Sequence, residues 1–264
     1  SVLDGLQVRG TNLSTSTRKV TDFVYKTIRG VTRVVGDSTE ATLLQLEPLL
    51  ISPGRAKTET PERRAALAAL NGVLGDLLVH HNCSLAIPMS FHYRDRIIDR
   101  QNMPSESAVS GKVLLLIHGL CMGDLGQRYH RGPNHGEMLA SELGYSPVYL
   151  RYNSGLHIST NGRALATRLE QLLDNWPVPV EELSIVAHSM GGLISRSASH
   201  YAKEQGLCWP ESLKNMIFLG TPHHGAPLEK VGIGMDVLLD STPYTRPFGA
   251  LGRIRSAGIT DLRY

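Results

Sequence analysis

The sequence has few cysteines and no long apolar run, and each absence removes a class of protein. Among its 264 residues only Cys83, Cys121 and Cys208 are cysteines, which is too few for a disulfide framework and fits no zinc spacing. No stretch has the roughly 18 apolar residues of a transmembrane helix, and no signal peptide is visible. We expect a soluble protein, and because the chain begins with Ser1 its compartment stays open between the cytoplasm and a processed, secreted form.

Clustered charge is also scarce. The chain carries 27 basic and 24 acidic residues, a net charge of +3, without the basic stripe of a nucleic-acid-binding protein, so we expect no nucleic-acid partner. A phosphate-binding loop of the form G-x-x-x-x-G-K-[ST] is missing. We expect no metal at His80, His81, Cys83 and His92, because a helix end and a strand would hold these side chains apart.

Two patterns of hydrophobicity follow one another along the chain. Residues 1–82 have helical periodicity, for example from Lys19 to Val35 and after Thr60, and predict a helical N-terminal extension packed on the core. In residues 83–264, short apolar runs alternate with helical patterns, which predicts an α/β core with a doubly wound, mostly parallel sheet. The strands are predicted at 84–94, 112–119, 146–152, 182–189 and 213–222, and the helices at 161–177 and 190–206.

One serine occupies the turn between a predicted strand and a predicted helix. The sequence AHSMG departs from G-x-S-x-G only in that Ala187 replaces the first glycine, whereas Gly191 keeps the second. Such a turn strains its central residue and lifts that side chain clear of the sheet, which suits a nucleophile. Serine is also a favoured helix N-cap, but the position between strand and helix favours Ser189 as the nucleophile.

A second turn, upstream, offers the oxyanion-binding part of such a site. His118, Gly119 and Leu120 follow the buried run KVLLLI, where a backbone N–H can meet a developing oxyanion. We expect the oxyanion hole to consist of the backbone N–H groups of Leu120 and Met190. His118 is expected to be a core histidine that shapes the turn.

Three stretches, VLLLIHGL, VAHSMGGL and FLGTPHHGAP, resemble the lipase branch of the α/β-hydrolases, including bacterial lipase-like and glycosylphosphatidylinositol-inositol-deacylase-like sequences. RYNSG at 151–155 and STNGR at 159–163 resemble the same group. The resemblance implies a serine hydrolase of lipase or esterase type. It would cleave a carboxylic ester through an acyl-serine intermediate, with an ester or lipid substrate and no cofactor, and it is compatible with contact at a lipid interface. An acyltransferase, a thioesterase, an amidase or a non-catalytic acyl-binding protein could be built on the same scaffold.

The usual order of serine, acid and histidine is not completed after Ser189. The histidines that follow Ser189 are His200, His223 and His224. In this order the acid comes after a further strand, and no carboxylate between Ser189 and these histidines has that position. We expect the acid and histidine of the triad to lie beyond Tyr264, on C-terminal strands that the sheet lacks here.

A rearranged triad and a pseudoenzyme also stay open as interpretations of the chain. A rearranged triad would use His223 or His224 with Asp236, Asp240 or Asp261. A pseudoenzyme would bind acyl chains and keep only the residual catalysis of an oxyanion hole.

The segment 227–255 is apolar with several glycines and prolines. It is interpreted either as a cap over the site or as a surface excursion. As a cap, it would place four side chains against the acyl chain of the substrate: Met235, Val237, Leu238 and Leu239.

Overall fold

The fold of the chain is given by a computed structural model, which describes residues 61–94, 96–123, 135–225 and 256–262. The helices predicted before Thr60, the segment 227–255 and most of the loop after Gly123 lie outside these residues. The described strands are β1 Ser90–Tyr93, β2 Arg96–Ile98, β3 Lys112–Ile117, β4 Ser146–Arg151, β5 Glu182–His188 and β6 Leu213–Leu219. The helices are α1 Pro61–His80, α2 His135–Leu143, α3 Ile158–Asp174, α4 Met190–Gln205, α5 Trp209–Ser212 and α6 Ala257–Asp261.

The strands form one sheet in the order β2-β1-β4-β3-β5-β6. Strands β4, β3, β5 and β6 are parallel, whereas β1 runs antiparallel to both β2 and β4. Helices connect the parallel strands, as short apolar strands alternating with helices require. The predicted α/β class with a mostly parallel sheet is therefore confirmed.

The first strand is shorter than the alternation at 84–94 predicts. The side chain of Asn71 on α1 accepts a hydrogen bond from the Ile87 N–H at 2.8 Å and donates to the Leu85 carbonyl at 2.9 Å. Pro88 follows and has no N–H to offer a neighbouring strand. The backbone before Ser90 is thus bonded to a helix instead of to the sheet.

The core lies mainly between the sheet and the helices α1, α3 and α4. Strand β3 is buried on both faces, and Leu115 and Ile117 are fully inaccessible. Leu74 and Leu78 of α1 belong to the same cluster of buried side chains, so α1 packs on the core. Strand β6 is the edge of the described sheet, and Ile217 is 48% exposed there.

The carboxyl ends of the parallel strands meet at one edge of the sheet, where ligands bind in open α/β sheets. The strand register pairs Ile117 with Ala187 and His188 with Leu219. The turns that follow β3, β5 and β6 are therefore neighbours at this edge. No helix among the described residues has the length and apolar character needed to cross a bilayer.

Candidate active site

Ser189 stands between β5 and α4 in a backbone conformation that residues with a side chain rarely adopt, with φ 52° and ψ −124°. Two hydrogen bonds hold it there. Its N–H donates to the Leu219 carbonyl of β6 at 2.8 Å, and its own carbonyl accepts from the Gly192 N–H at 3.0 Å. A strained residue persists only where its surroundings determine the conformation. The neighbouring strand and the first turn of α4 supply that constraint.

The residues around the serine are small because the backbones pass close to one another. A Cβ atom on Gly191 would lie 2.6 Å from the His118 carbonyl oxygen, and one on Gly192 would lie 2.1 Å from Thr221 Oγ1. On the strand side Ala187 is fully buried, where its single methyl group replaces the glycine of the usual motif. The turn is thus in close contact with the residues that follow β3 and β6.

The hydroxyl of Ser189 does not cap the helix. It makes no capping hydrogen bond, and no bond to another side chain or to the backbone is found for it within the described ranges. Ser189 is partly exposed to solvent. An N-cap role has no contact to support it, and the hydroxyl is left available.

The turn after β3 lies directly against the serine. A Cβ on Gly119 would be 3.0 Å from Ser189 Cβ and 3.0 Å from His188 Nδ1, which is tighter than an ordinary contact, so glycine suits the close approach of the two turns. The N–H groups of Leu120 and Met190 have no acceptor in the part of the chain that the structure describes. Two unpaired backbone donors therefore flank the serine, one in each turn.

His118 belongs to the core. It is 1% exposed, and its ring stacks on Tyr152 with 4.3 Å between centroids. Its Nδ1–H donates to the Gly119 carbonyl at 2.9 Å, and the Tyr152 hydroxyl donates to the His118 carbonyl at 2.7 Å. Burial raises the pKa of Tyr152, which keeps that hydroxyl protonated and able to donate. His118 therefore shapes the turn.

His188, beside the serine, is a neutral imidazole near neutral pH. Burial lowers the pKa of His188 from its ordinary value of 6.5, because a charged ring loses hydration there. Its Nδ1 is buried and has no hydrogen-bond partner among the described residues. The sequence alone did not show this unpaired atom, since its isolation depends on the turn after β3.

The contacts of His223 and Asp261 do not join these two residues of the rearranged triad. Arg196 donates from Nη1 to His223 Nδ1 at 2.9 Å, so this nitrogen already accepts a hydrogen bond. Asp261 contacts His157 Nδ1 at 3.0 Å and accepts from the Ile158 N–H at 2.7 Å. Asp236 and Asp240 lie outside the described residues.

The described cysteines and potential metal ligands do not form a reactive or metal-binding group. Burial raises the pKa of the Cys121 thiol to about 12, so this cysteine is not a thiolate nucleophile. The three cysteines are free. No group of three or more His, Cys, Asp or Glu side chains in the described ranges is arranged to hold a metal ion.

Two cavities lie at a distance from this turn. One of about 580 Å³ is lined by Arg94, Ser141 and Tyr145, and one of about 770 Å³ by Arg96 and Asn102. Neither is lined by a residue of the Ser189 turn. The candidate site therefore rests on the paired turns at the strand ends.

Comparison with known proteins agrees with this fold. Residues 136–239 match the family model described as a PGAP1-like alpha/beta domain, a segment that includes β5, Ser189 and α4. The matched segment carries β4, β5 and β6 of the mostly parallel sheet. The central segment of the chain is thus similar to the PGAP1-like alpha/beta domain.

Two solved structures are similar to the chain. The Bacillus licheniformis lipase BlEst2 in its propeptide form has 23% identity and a TM-score of 0.43, over 61% of this chain and 32% of that one. The mature form has 23% identity and a TM-score of 0.42, over 61% of this chain and 58% of that one. The match thus spans less than two thirds of either lipase chain. No curated protein matches the sequence.

Proposed function

We propose that the chain is a serine hydrolase of the lipase or esterase type, which cleaves carboxylic esters through an acyl-serine intermediate. One observation carries the proposal. Ser189, at φ 52°, has a hydroxyl without a partner in the described residues, and it stands between the unpaired N–H groups of Leu120 and Met190. A nucleophile beside two free donors is the arrangement that acyl transfer requires.

In the proposed reaction, Ser189 Oγ attacks the ester carbonyl while a base takes its proton. The negative charge that develops on the carbonyl oxygen is stabilised by the N–H groups of Leu120 and Met190, and by the N-terminus of α4. The alcohol leaves with the proton, and the acyl group stays on Ser189. Water then attacks the acyl-serine, which releases the carboxylic acid and restores the hydroxyl.

The general base and its carboxylate are proposed to lie outside the described residues. Asp261 is engaged with His157 and Ile158, and the Arg196 guanidinium occupies His223 Nδ1. These contacts argue against a triad built from that acid and that histidine.

The substrate is proposed to be an ester or lipid. Its acyl chain would contact the segment 227–255, proposed as a cap, through four side chains: Met235, Val237, Leu238 and Leu239. A core at 83–264 with a helical extension at 1–82 remains our proposal for the domain organisation. Helix α1 of that extension packs into the core.

Hydrolysis of p-nitrophenyl butyrate by the full-length protein, with any residues that follow Tyr264, and by its Ser189→Ala variant tests the proposal. Loss of the nucleophile is expected to lower kcat by about 10⁴-fold or more. Ser199→Ala, in the same helix, is the matched control, because its hydroxyl bonds only the Ser195 carbonyl at 3.1 Å.

Equal rates for the chain and Ser189→Ala would overturn the assignment. A folded chain that binds the ester without turnover would indicate a non-catalytic acyl-binding protein. Faster turnover of a matched thioester would indicate a thioesterase, and faster turnover of a matched amide would indicate an amidase. Transfer of the acyl group to an added alcohol would indicate an acyltransferase.

A further inference from the structure

Helix α1 lies directly behind the turn that carries the Leu120 N–H. A Cβ atom on Gly72, in the interior of this helix, would lie 2.3 Å from Cys121 Sγ and 2.9 Å from both the Cα and the N of Cys121. Glycine is unfavourable inside a helix relative to alanine. The close approach of the turn explains why a glycine is nevertheless present here.

A second connection runs from α1 through the loop after β4. The Asn153 amide donates to the Gly75 carbonyl of α1 at 2.9 Å, and its Oδ1 accepts from the Gly155 N–H at 3.0 Å. The next side chain, Ser154, accepts a hydrogen bond from the Cys121 N–H at 3.1 Å. The helix therefore holds the loop, and the loop holds the turn.

The hydrogen bonds that link α1, the loop after β4 and the turn after β3 are buried. Asn153 is 2% exposed, and Ser154 is 1% exposed, so water does not compete for their hydrogen bonds. Cys121 has φ 57°, a conformation that a residue with a side chain keeps only when its neighbours impose it. Gly72 on one side and Ser154 on the other are the neighbours that do so.

We infer that helix α1 is a positioning element of the candidate active site, and that Gly72 and Asn153 fix the turn at 118–122 so that the Leu120 N–H faces the oxyanion. This inference rests on the proposed function. Neither residue is placed in contact with substrate, and both act through Cys121. The helix thus contributes to catalysis from the part of the sequence that carries no recognisable motif.

Gly72→Ala tests the inference, with Gly123→Ala as its matched control. A Cβ on Gly123 would lie 3.5 Å from Ala68 Cβ, which is an ordinary contact. A displacement of about 1 Å at a catalytic group lowers rate by about 10²-fold. In p-nitrophenyl butyrate hydrolysis we expect Gly72→Ala to lower kcat by about that factor and to leave KM nearly unchanged, since the lost donor acts in the transition state.

A compensating change distinguishes positioning from general damage. Cys121→Gly removes the thiol that the new methyl group meets and suits the positive φ. The double variant Gly72→Ala/Cys121→Gly should therefore recover part of the lost kcat. If Gly72→Ala has the kcat of Gly123→Ala, or if it changes only KM, the inference is overturned.

A measurement that does not depend on catalysis separates this inference from the proposed function. Amide hydrogen exchange of residues 118–122 in the full chain should be faster in Gly72→Ala than in Gly123→Ala, whether or not the chain hydrolyses esters. Asn153→Asp keeps the acceptor for Gly155 and removes the donor to Gly75, so it tests the second connection if Gly72→Ala does not fold. Unchanged exchange in the turn in whichever variant folds would overturn the inference even in an active enzyme.

Discussion

The polar groups at the two ends of strand β5 differ in whether they are hydrogen-bonded. At its start, the Glu182 carboxylate accepts hydrogen bonds from the Tyr145 hydroxyl, from Lys214 Nζ at 3.0 Å and from Ser184 Oγ at 3.3 Å. At its end, the Ser189 hydroxyl and His188 Nδ1 have no partner in the described ranges. One strand thus joins a satisfied polar cluster to an unsatisfied one, and the unsatisfied end is where we expect chemistry.

The serine end of the strand carries a cost in stability. A buried polar group without a hydrogen bond costs about 1–3 kcal/mol, and a residue held at an unfavourable φ costs about 1–3 kcal/mol more. His188 Nδ1 and Thr221 Oγ1 are buried without partners among the described residues, and Ser189 has φ 52°. These features do not stabilise the fold, and under the proposed function they would serve substrate binding and catalysis.

The largest expected effect comes from replacing the strained serine by the residue that its backbone prefers. Ser189→Gly should abolish ester hydrolysis, because the nucleophile is gone. It should also raise the free energy of unfolding by about 1 kcal/mol relative to Ser189→Ala, since glycine adopts φ 52° without strain. Urea unfolding of both variants measures this. A Ser189→Gly variant that is less stable than Ser189→Ala would show that the serine is not strained.

A methyl group on the first helical glycine should disturb both activity and stability. In Gly191→Ala the new Cβ would meet the His118 and Ile117 carbonyl oxygens at 2.6 and 2.9 Å. Because these are backbone atoms, a change of side-chain rotamer cannot relieve the contact. We expect a loss of about 1–3 kcal/mol in unfolding free energy and a lower kcat. Gly123→Ala provides the comparison, and equal stability of the two variants would contradict the close packing described here.

At the start of β5, a change should affect stability and leave activity alone. Glu182→Gln removes the charge that Lys214 contacts, with an expected loss on the order of 1 kcal/mol. Hydrogen bonds from Tyr145 and Lys214 lower the pKa of Glu182 below its ordinary value of 4.5. The contribution is therefore complete above about pH 4.5 and is lost as the pH falls through the lower folded value.

Urea unfolding of the wild type and Glu182→Gln at several pH values measures that difference. It should shrink in acid, while kcat stays the same for both proteins. A fall in kcat with intact folding would mean that the two ends of the strand are not independent.

The smallest effect is a pH dependence from His188. The pKa of His188 is lowered from its ordinary value of 6.5, so in acid the unfolded chain binds a proton that the folded chain does not. The unfolding free energy should therefore fall as the pH drops below about 6.5, with a slope of at most about 1.4 kcal/mol per pH unit. His188→Gln should lack this contribution below about pH 6.5. Identical slopes in the two proteins would contradict a neutral, buried ring.

The sequence predicts much of this fold where the pattern is long and regular. The periodicity after Thr60 agrees with α1 Pro61–His80, and the apolar run KVLLLI agrees with β3. Short elements were missed: β2 has three residues and α6 has five, too few to show a period. Helix α2 was missed as well, because HGEMLASEL mixes glycine and polar residues with its apolar face.

For the site, the spacing in AHSMG and IHGL indicates which residues face each other at the strand ends, but not their energies. The positive φ of Ser189 and the unpaired N–H groups of Leu120 and Met190 depend on how three strands end together. The contact between Gly72 and Cys121 joins residues far apart in sequence, and no local pattern contains it.

Labelling with a fluorophosphonate probe tests the central claim most directly, because the reagent reacts only with an activated serine. The intact mass of the chain would be measured before and after treatment, and the adduct would be located by peptide mapping. A single adduct on Ser189, absent from Ser189→Ala and present in Ser199→Ala, is the result we predict. An adduct on another serine, or none on the folded full-length protein, would contradict the claim that Ser189 is an activated nucleophile.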